Sequence, residues 1–399
     1  MATEQYRYLI VGGGMTADAA VDGIREIDGD GSIALVSAEP DSPYSRPPLS
    51  KGLWKGGDLD KVWRRTEDKE ASLHTGRTIE SVDLEQKRAL DDRGAVHGFD
   101  ILLLATGGTP RRLAFGGDEI IYYRTLRDYH RLRDAVERGE RFAVIGGGFI
   151  GSEIAAALAM NGKQVTELFP GHGIGATAFP EDLSLFLNDH YRQKGVEILA
   201  GEQAVGLERR GAELVLSTEN GRELTVDGVV AGIGISPNVA PAQAAGLAVE
   251  NGIVVDELLR TSARGVYAAG DVAAFASPQL GARVRVEHED NALKMGKHAG
   301  ANMARSLHET AGEPYDHLPF FYSDLFELGY EAIGDLDARL ETVADWQEPY
   351  QQGVVYYLQE GRVRGVLLWN VWGKVDAARE LITAPGPFSA DNLRGLVAA

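Results

Sequence analysis

The sequence predicts an α/β chain: two domains of parallel sheet wrapped by helices, followed by a smaller α+β unit. Three observations carry that reading. Short β-rich runs that stop at glycine recur along the chain. Two of them, about 134 positions apart, lead into helices with the same glycine spacing. Beyond Glu313 the texture changes to aromatic-rich strands and turns. The length of 399 residues allows this, since an ordinary domain has roughly 100–200.

Composition narrows the function before any motif is read. With 44% hydrophobic and 25% charged residues, the chain has ample material for packed interiors, and disorder or fibre is excluded. The 59 acidic residues against 40 basic give a net charge of −19, which repels polyanions, so no nucleic-acid partner is expected. There is no cysteine. That removes disulphides, thiolate metal sites, iron–sulphur ligation and thiol relays at once, so redox chemistry must use a bound cofactor, and no metal site is expected. The first apolar run, Tyr8 to Val11, follows only seven mostly polar residues. No signal peptide is expected ahead of it, no stretch reaches the ~18–20 apolar residues of a membrane span, and a cytoplasmic location is expected.

The first element, YLIVGGGMTADAAVDGI, reads as a buried strand, the turn Gly12-x-Gly14-x-x-Ala17, and a helix. Glycine lets the backbone come close enough to set helix N–H groups against a pyrophosphate. The next strand, SIALVSAE, ends in Glu39, about where an acid can hold a ribose hydroxyl. FDILLLATGGTPR closes that unit, and a basic helical stretch, LRDYHRLRDAVERGERF, follows with a solvated face. The second copy, FAVIGGGFIGSEIAAAL, carries Gly146-x-Gly148-x-x-Gly151. Its second strand, KQVTELF, runs into Pro170, Gly171 and His172, with no acid at its end and Glu167 inside it. VDGVVAGIGISPN and RGVYAAGDVAAF, the latter with Asp271, are further strands stopping at glycine.

The last of these reads as a completion of the first sheet. The expected layout is therefore one nucleotide-binding domain, 1–112 and 242–313, interrupted by another, 113–241, with 314–399 as the C-terminal α+β domain. In PYSRPPLSKGLW, paired prolines are expected to hold Arg46 and Lys51 on an extended segment.

Taken with ATGGTPR, GGGFIGSE, GIGISPN, AAGDVAAF, RVEHEDNA and GYEAIGD in this order, that segment resembles the ferredoxin-reductase-like pyridine nucleotide oxidoreductases over nearly the whole chain. Within them it is most similar to the apoptosis-inducing factor branch, through the LFP after the second fingerprint, SDLFELGYEAIGD, and GVVYYLQEGRVRGVLLWNVWGKVDAARELI. The resemblance implies two Rossmann-like domains of the glutathione-reductase type, with FAD in the interrupted domain, NAD(P)H in the insert, and the C-terminal domain closing over the flavin. It implies that Gly12, Gly13, Gly14, Met15 and Thr16 lie along the FAD pyrophosphate, Glu39 near the adenosine ribose, Arg46 on phosphate oxygens, and Asp271 on the ribityl side. Ile79 would meet the adenine through its backbone, and Arg124 would reach the FAD.

Lys51 is implied beside flavin N5, with Glu153 as its counter-ion. An acid in a first helical turn also gains ~0.3–1 kcal/mol from the helix dipole alone. The pyrophosphate of NADH is implied at Gly146, Gly148, Phe149, Ile150 and Gly151, with Gly234 lining the approach. Glu287 and His288 would contact nicotinamide and isoalloxazine, and Glu331 and Asn370 would hydrogen-bond the dinucleotide. Trp369 and Trp372 read equally as core. Two departures from the branch stand out: Gly171 and His172 replace the acid that grips the adenosine ribose, which leaves NADPH open beside NADH, and Tyr322 replaces a tryptophan against the flavin.

The function expected is hydride transfer from NAD(P)H to FAD and delivery of electrons to an external acceptor of the ferredoxin or rubredoxin type. The alternative is a slow, apoptosis-inducing-factor-like NADH oxidoreductase whose long-lived reduced complex acts as a redox signal, with homodimerisation as its output. An acidic acceptor would meet repulsion unless Lys51, Arg64, Arg65, Arg283 and Arg285 gather into a basic patch.

Overall fold

The computed structural model describes residues 3–211 and 213–397. They form two compact units. The first runs to Ser45 and adds Asp60–Thr109 and Ser236–Pro319; the second takes Arg46–Leu59, Pro110–Ile235 and the chain from Phe320.

In the first unit, strand β1 (Thr3–Val11), helix α1 (Met15–Arg25) and strands β2 (Ile33–Val36), β3 (Ala71–His74), β4 (Ile79–Asp83), β5 (Arg88–Asp91) and β6 (Val96–Leu104) follow in order. They make a sheet ordered β3-β2-β1-β6-β5-β4, and Val266–Ala268 pairs beside β6. Strands β3, β2, β1 and β6 are parallel to one another, whereas β4 and β5 are antiparallel additions. Tyr8, Leu9, Ile10 and Val11 are all buried, as expected of a strand covered on both faces. Helix α1 crosses the helix Glu289–Leu307 so closely that a Cβ built on Gly23 would stand 1.9 Å from Lys297 O, and one on Gly300 would stand 2.0 Å from Ala20 O.

The second unit holds a parallel sheet whose order is Val196–Ala200, Gln164–Phe169, Arg141–Ile145, Gly228–Ala231, Ile120–Tyr122. Its helices are α2 (Leu126–Arg138), α3 (Phe149–Met160) and α4 (Glu181–Gln193). Helix α2 starts at a capping box between Thr125 and Asp128 and buries only Leu126, Tyr129, Leu132 and Val136, so the basic stretch does have a solvated face. A five-stranded antiparallel sheet follows, from Phe320–Leu325 to Arg362–Trp369, and then the helix Val375–Thr383.

Two local expectations change. The strand predicted to reach Glu39 ends at Val36; Gly76 N–H donates to Glu39 O and Tyr44 Oη to its carboxylate, so the acid belongs to the turn beyond. The proline segment is not extended. Pro47–Leu49 forms a 3₁₀ turn, with Lys51 N–H donating to Pro48 O. Proline's fixed φ suits the first positions of such a turn, where its missing N–H costs nothing.

Candidate functional site

On the first unit, the turn between β1 and α1 is three glycines long. Gly12 has φ +140°, and a Cβ there would lie 2.2 Å from Ala105 O, so no other residue fits. Helix α1 begins at Gly14 without a side-chain cap. The one acid of its first turn, Asp18, is buried and spent on Arg64 Nε at 2.5 Å, Thr66 Oγ1 at 2.6 Å and Lys69 Nζ at 2.7 Å. An uncapped helix start beside a neutralised acid fits an anionic pyrophosphate. Gly270 closes on the same turn: a Cβ on it would lie 2.2 Å from Thr16 Oγ1, which brings Asp271 to the start of α1. Met15 and Thr16 are buried in that first turn.

Other implied FAD residues belong to the same unit. Ile79 is buried at the head of β4. His288 precedes the helix Glu289–Leu307; desolvation pushes its pKa down to about 4, so the imidazole is neutral at pH 7. Arg285, which the resemblance did not assign, donates to Asp271 O at 3.0 Å and pairs with Glu287 at 2.7 Å. Arg64 is held by Asp18, and Arg283 by Val255 O and Ala274 O. Those three arginines are therefore not a patch of uncommitted cations.

In the second unit a charged centre forms around Glu153. The acid sits in α3 and is 3% exposed. Lys51 Nζ lies 2.7 Å from its Oε1, and Ser50 Oγ and Ser323 Oγ donate to its two oxygens at 2.5 Å each. Lys51 Nζ also stands 5.4 Å from the centre of the Tyr322 ring. The lysine is placed by its neighbours: Leu49, Leu53 and Trp54 are buried, and Trp54 Nε1 and Tyr123 Oη both donate to Leu49 O. Arg46 Nη1 donates to Arg124 O. Ser50 lies in PYSRPPLSKGLW and Ser323 opens SDLFELGYEAIGD, two of the segments that carry the resemblance, yet neither is assigned a role there; nothing in either segment marks the serine as a partner of Glu153.

The second glycine turn lies at the start of α3. A Cβ on Gly151 would stand 1.8 Å from Gly146 O, so this glycine lets helix and strand touch. Gly148 is different. Its φ is −87°, and a Cβ there would meet nothing within 4 Å. Neither backbone nor packing demands glycine at Gly148, which fits a turn shaped for a bound dinucleotide. Phe149 and Ile150 are partly exposed beside it. Gly234 has φ +87°, and its carbonyl accepts from Arg111 N–H.

In the C-terminal sheet, Glu331 accepts from Gly373 N–H, while Asn370 spends its side-chain oxygen on Gly329 N–H and its amide on Gln351 O. Trp369 is wholly buried and Trp372 is 52% exposed, so only the first is core. Where the branch has its ribose-binding acid, Gly171 O accepts from Gly201 N–H and His172 O from Asn188 Nδ2.

Glu167 is buried in the strand below α3, and desolvation pushes its pKa up to about 8. Ser152 Oγ has one proton and two acceptors within reach, Gly148 O at 2.9 Å and Glu167 Oε1 at 3.3 Å. A protonated Glu167 supplies the second proton. Between pH ~4.5 and ~8 the fold keeps a proton that the unfolded chain has lost, so this group lowers stability as pH rises through that window. Thermal melts of Glu167→Gln should show a higher Tm than wild type at pH 8 and a flatter pH dependence from 5 to 8.

Two glycine-turn helices and a lysine–glutamate centre, in a chain without cysteine, define a two-dinucleotide oxidoreductase. The chain matches the pyridine nucleotide-disulphide oxidoreductase model over residues 6–296, and it belongs to that family. Residues 345–384 match the C-terminal model of the mitochondrion-associated apoptosis-inducing factor. It is 35% identical to apoptosis-inducing factor 1 of Dictyostelium discoideum, over 95% of this chain and 78% of that protein. It is 34% identical to the ferredoxin–NAD(+) reductase component of the Burkholderia cepacia anthranilate 1,2-dioxygenase system, over 94% of each. Among solved structures, putidaredoxin reductase in its covalent complex with putidaredoxin matches with a TM-score of 0.89 and 30% identity, over 97% of this chain and 95% of that one. The ferredoxin reductase for the CYP199A2 system of Rhodopseudomonas palustris matches with a TM-score of 0.87 and 28% identity, over 98% and 100%. The protein is an NAD(P)H-dependent FAD oxidoreductase, and with no cysteine it has no redox-active disulphide. Among the described residues no helix is long and apolar enough to cross a membrane.

Proposed function

We propose that this chain passes electrons from NADH through FAD to a small iron–sulphur protein of the ferredoxin or rubredoxin type. The observation that carries the proposal is the Lys51–Glu153 pair, a lysine held at 2.7 Å by a buried acid, in a chain whose electrons have no thiol to pass through. FAD supplies the two-electron acceptor for NADH and can release electrons singly. Residues 1–112 and 242–313 form its domain in this reading, 113–241 the domain for NAD(P)H, and 314–399 the C-terminal domain. Gly12 to Thr16, Glu39, Arg46, Ile79, Arg124, Asp271, His288 and Tyr322 would hold the FAD. Lys51 would place its charge at the flavin edge, oriented by Glu153, Ser50 and Ser323; fixed charges of this kind cost no reorganisation during reaction. Gly146, Gly148, Phe149, Ile150, Gly151, Glu153, Gly234, Glu287, Glu331 and Asn370 would hold NADH.

The match of 345–384 to the apoptosis-inducing factor model favours a second reading, a slow oxidoreductase whose reduced state is a signal read out by dimerisation. One experiment separates them. The purified protein, mixed with one equivalent of NADH and then air, is followed in the visible with and without a ferredoxin. Rapid bleaching with re-oxidation by ferredoxin supports the reductase. A long-wavelength band that persists in air for minutes and is indifferent to ferredoxin supports the signal, and a colourless protein that takes up no FAD overturns both.

A further inference from the structure

Away from both glycine turns, three side chains from distant stretches meet on the first unit. Glu4 lies in β1, His74 ends β3, and His97 lies in β6, in register with Glu4. A carboxylate oxygen of Glu4 and a ring nitrogen of each histidine lie within 4.8 Å of one another. His74 Nε2 is 3.6 Å from Glu4 Oε2, and the two imidazole centres are 4.9 Å apart.

The chemistry of His97 points to a missing partner. The residue is 2% exposed, and its Nε2 stands 3.1 Å from Asp91 Oδ2. A carboxylate only accepts, so Nε2 carries the proton and Nδ1 is left with a bare lone pair. That Nδ1 is buried with no hydrogen-bond partner among the described residues, an unfavourable situation for a polar atom when nothing fills it. Asp91 is itself fixed, by Arg77 Nη1 at 2.8 Å and by the N–H groups of Arg93 at 3.0 Å and Ala95 at 2.8 Å. A carboxylate that orients an imidazole from behind is the usual companion of a metal-bound histidine.

We propose that Glu4, His74 and His97 bind a divalent transition-metal ion of the zinc class. Two imidazole nitrogens and one carboxylate oxygen suit zinc and disfavour calcium or magnesium, which prefer oxygen alone. Water completes the fourth position, reached from the side of Glu4, whose side chain is 61% exposed. Tyr6 Oη lies 2.6 Å from Glu4 Oε2 and 2.9 Å from His74 Nε2; with metal bound it keeps the carboxylate and yields the imidazole. The absence of cysteine, on which the expectation of no metal rested, excludes only thiolate ligation, and these three ligands stand 70 and 23 positions apart, far outside any short ligand spacing. The ion would clamp strands β1, β3 and β6, and so raise the melting temperature with its concentration.

The test uses the FAD-loaded protein, stripped of metal with a chelator and titrated with zinc by calorimetry and thermal melting. One zinc should bind per chain and raise the Tm. Glu4→Gln, an exposed change that leaves the core alone, and His74→Gln should each weaken binding at least about tenfold and remove the Tm response, with FAD content unchanged. Failure of the wild-type protein to take up zinc, or uptake equally tight in both variants, overturns the site.

Discussion

Lys51→Ala should slow reduction of the bound flavin by NADH at least about tenfold, with FAD retained. The lysine is one of three donors that converge on Glu153, the others being Ser50 and Ser323. Its loss removes the only positive charge among those donors and leaves the acid 3% exposed with neutral partners. Breaking one side of a fully buried ion pair costs about 3–5 kcal/mol; the two serines and the partial exposure of Lys51 hold the figure below that range. To separate stability from chemistry, Lys51→Met combined with Glu153→Gln removes both charges at once. Stopped-flow reduction should remain slow in the double variant while its Tm returns towards wild type. A single variant reduced at the wild-type rate would take Lys51 out of the mechanism.

The second large effect is expected at Gly148. Its backbone, at φ −87° and ψ −172°, is one that valine adopts readily, and the space around its missing Cβ is open. Gly148→Val should therefore fold with an unchanged Tm and an unchanged flavin spectrum. The added methyl groups occupy the space that a pyrophosphate must enter to reach the start of α3, so affinity for NADH should fall on the order of a hundredfold. Titrating NADH against flavin reduction under anaerobic conditions measures this, and a near-normal KM would move the dinucleotide away from this turn. Gly151 offers no such separation, because a Cβ there collides with Gly146 O at 1.8 Å in the protein itself.

The glycine turns were legible in the sequence because each is a local event: a strand, a few residues and a helix start, written in consecutive letters. The same holds for α2, whose Thr125 and Asp128 cap is a four-residue pattern. The proline segment folds as a 3₁₀ turn where the sequence suggests an extended chain for an equally local reason: proline's φ suits both, and the burial of Leu49, Leu53 and Trp54 decides between them. What the sequence does not write is convergence. Ser50 and Ser323 meet on Glu153 from 103 and 170 positions away. Asp18 looks like an acid opposed to a pyrophosphate until Arg64, Thr66 and Lys69 are seen to neutralise it. Trp372 shows the converse: apolar in type, it lies 52% exposed.

The close crossing of α1 with the helix Glu289–Leu307, and the strand Val266–Ala268 beside β6, bear on how the chain acquires its shape during synthesis. From Leu104 to Val266 the ribosome must add 162 residues, on the order of 10–30 s at ordinary synthesis rates. Throughout that interval Leu102–Leu104 lack their neighbouring strand, and the glycine face of α1 has nothing to rest on. The intervening residues can complete their own parallel sheet in the meantime, so the part that starts first is finished later, and the waiting edge is where a holding chaperone would be needed.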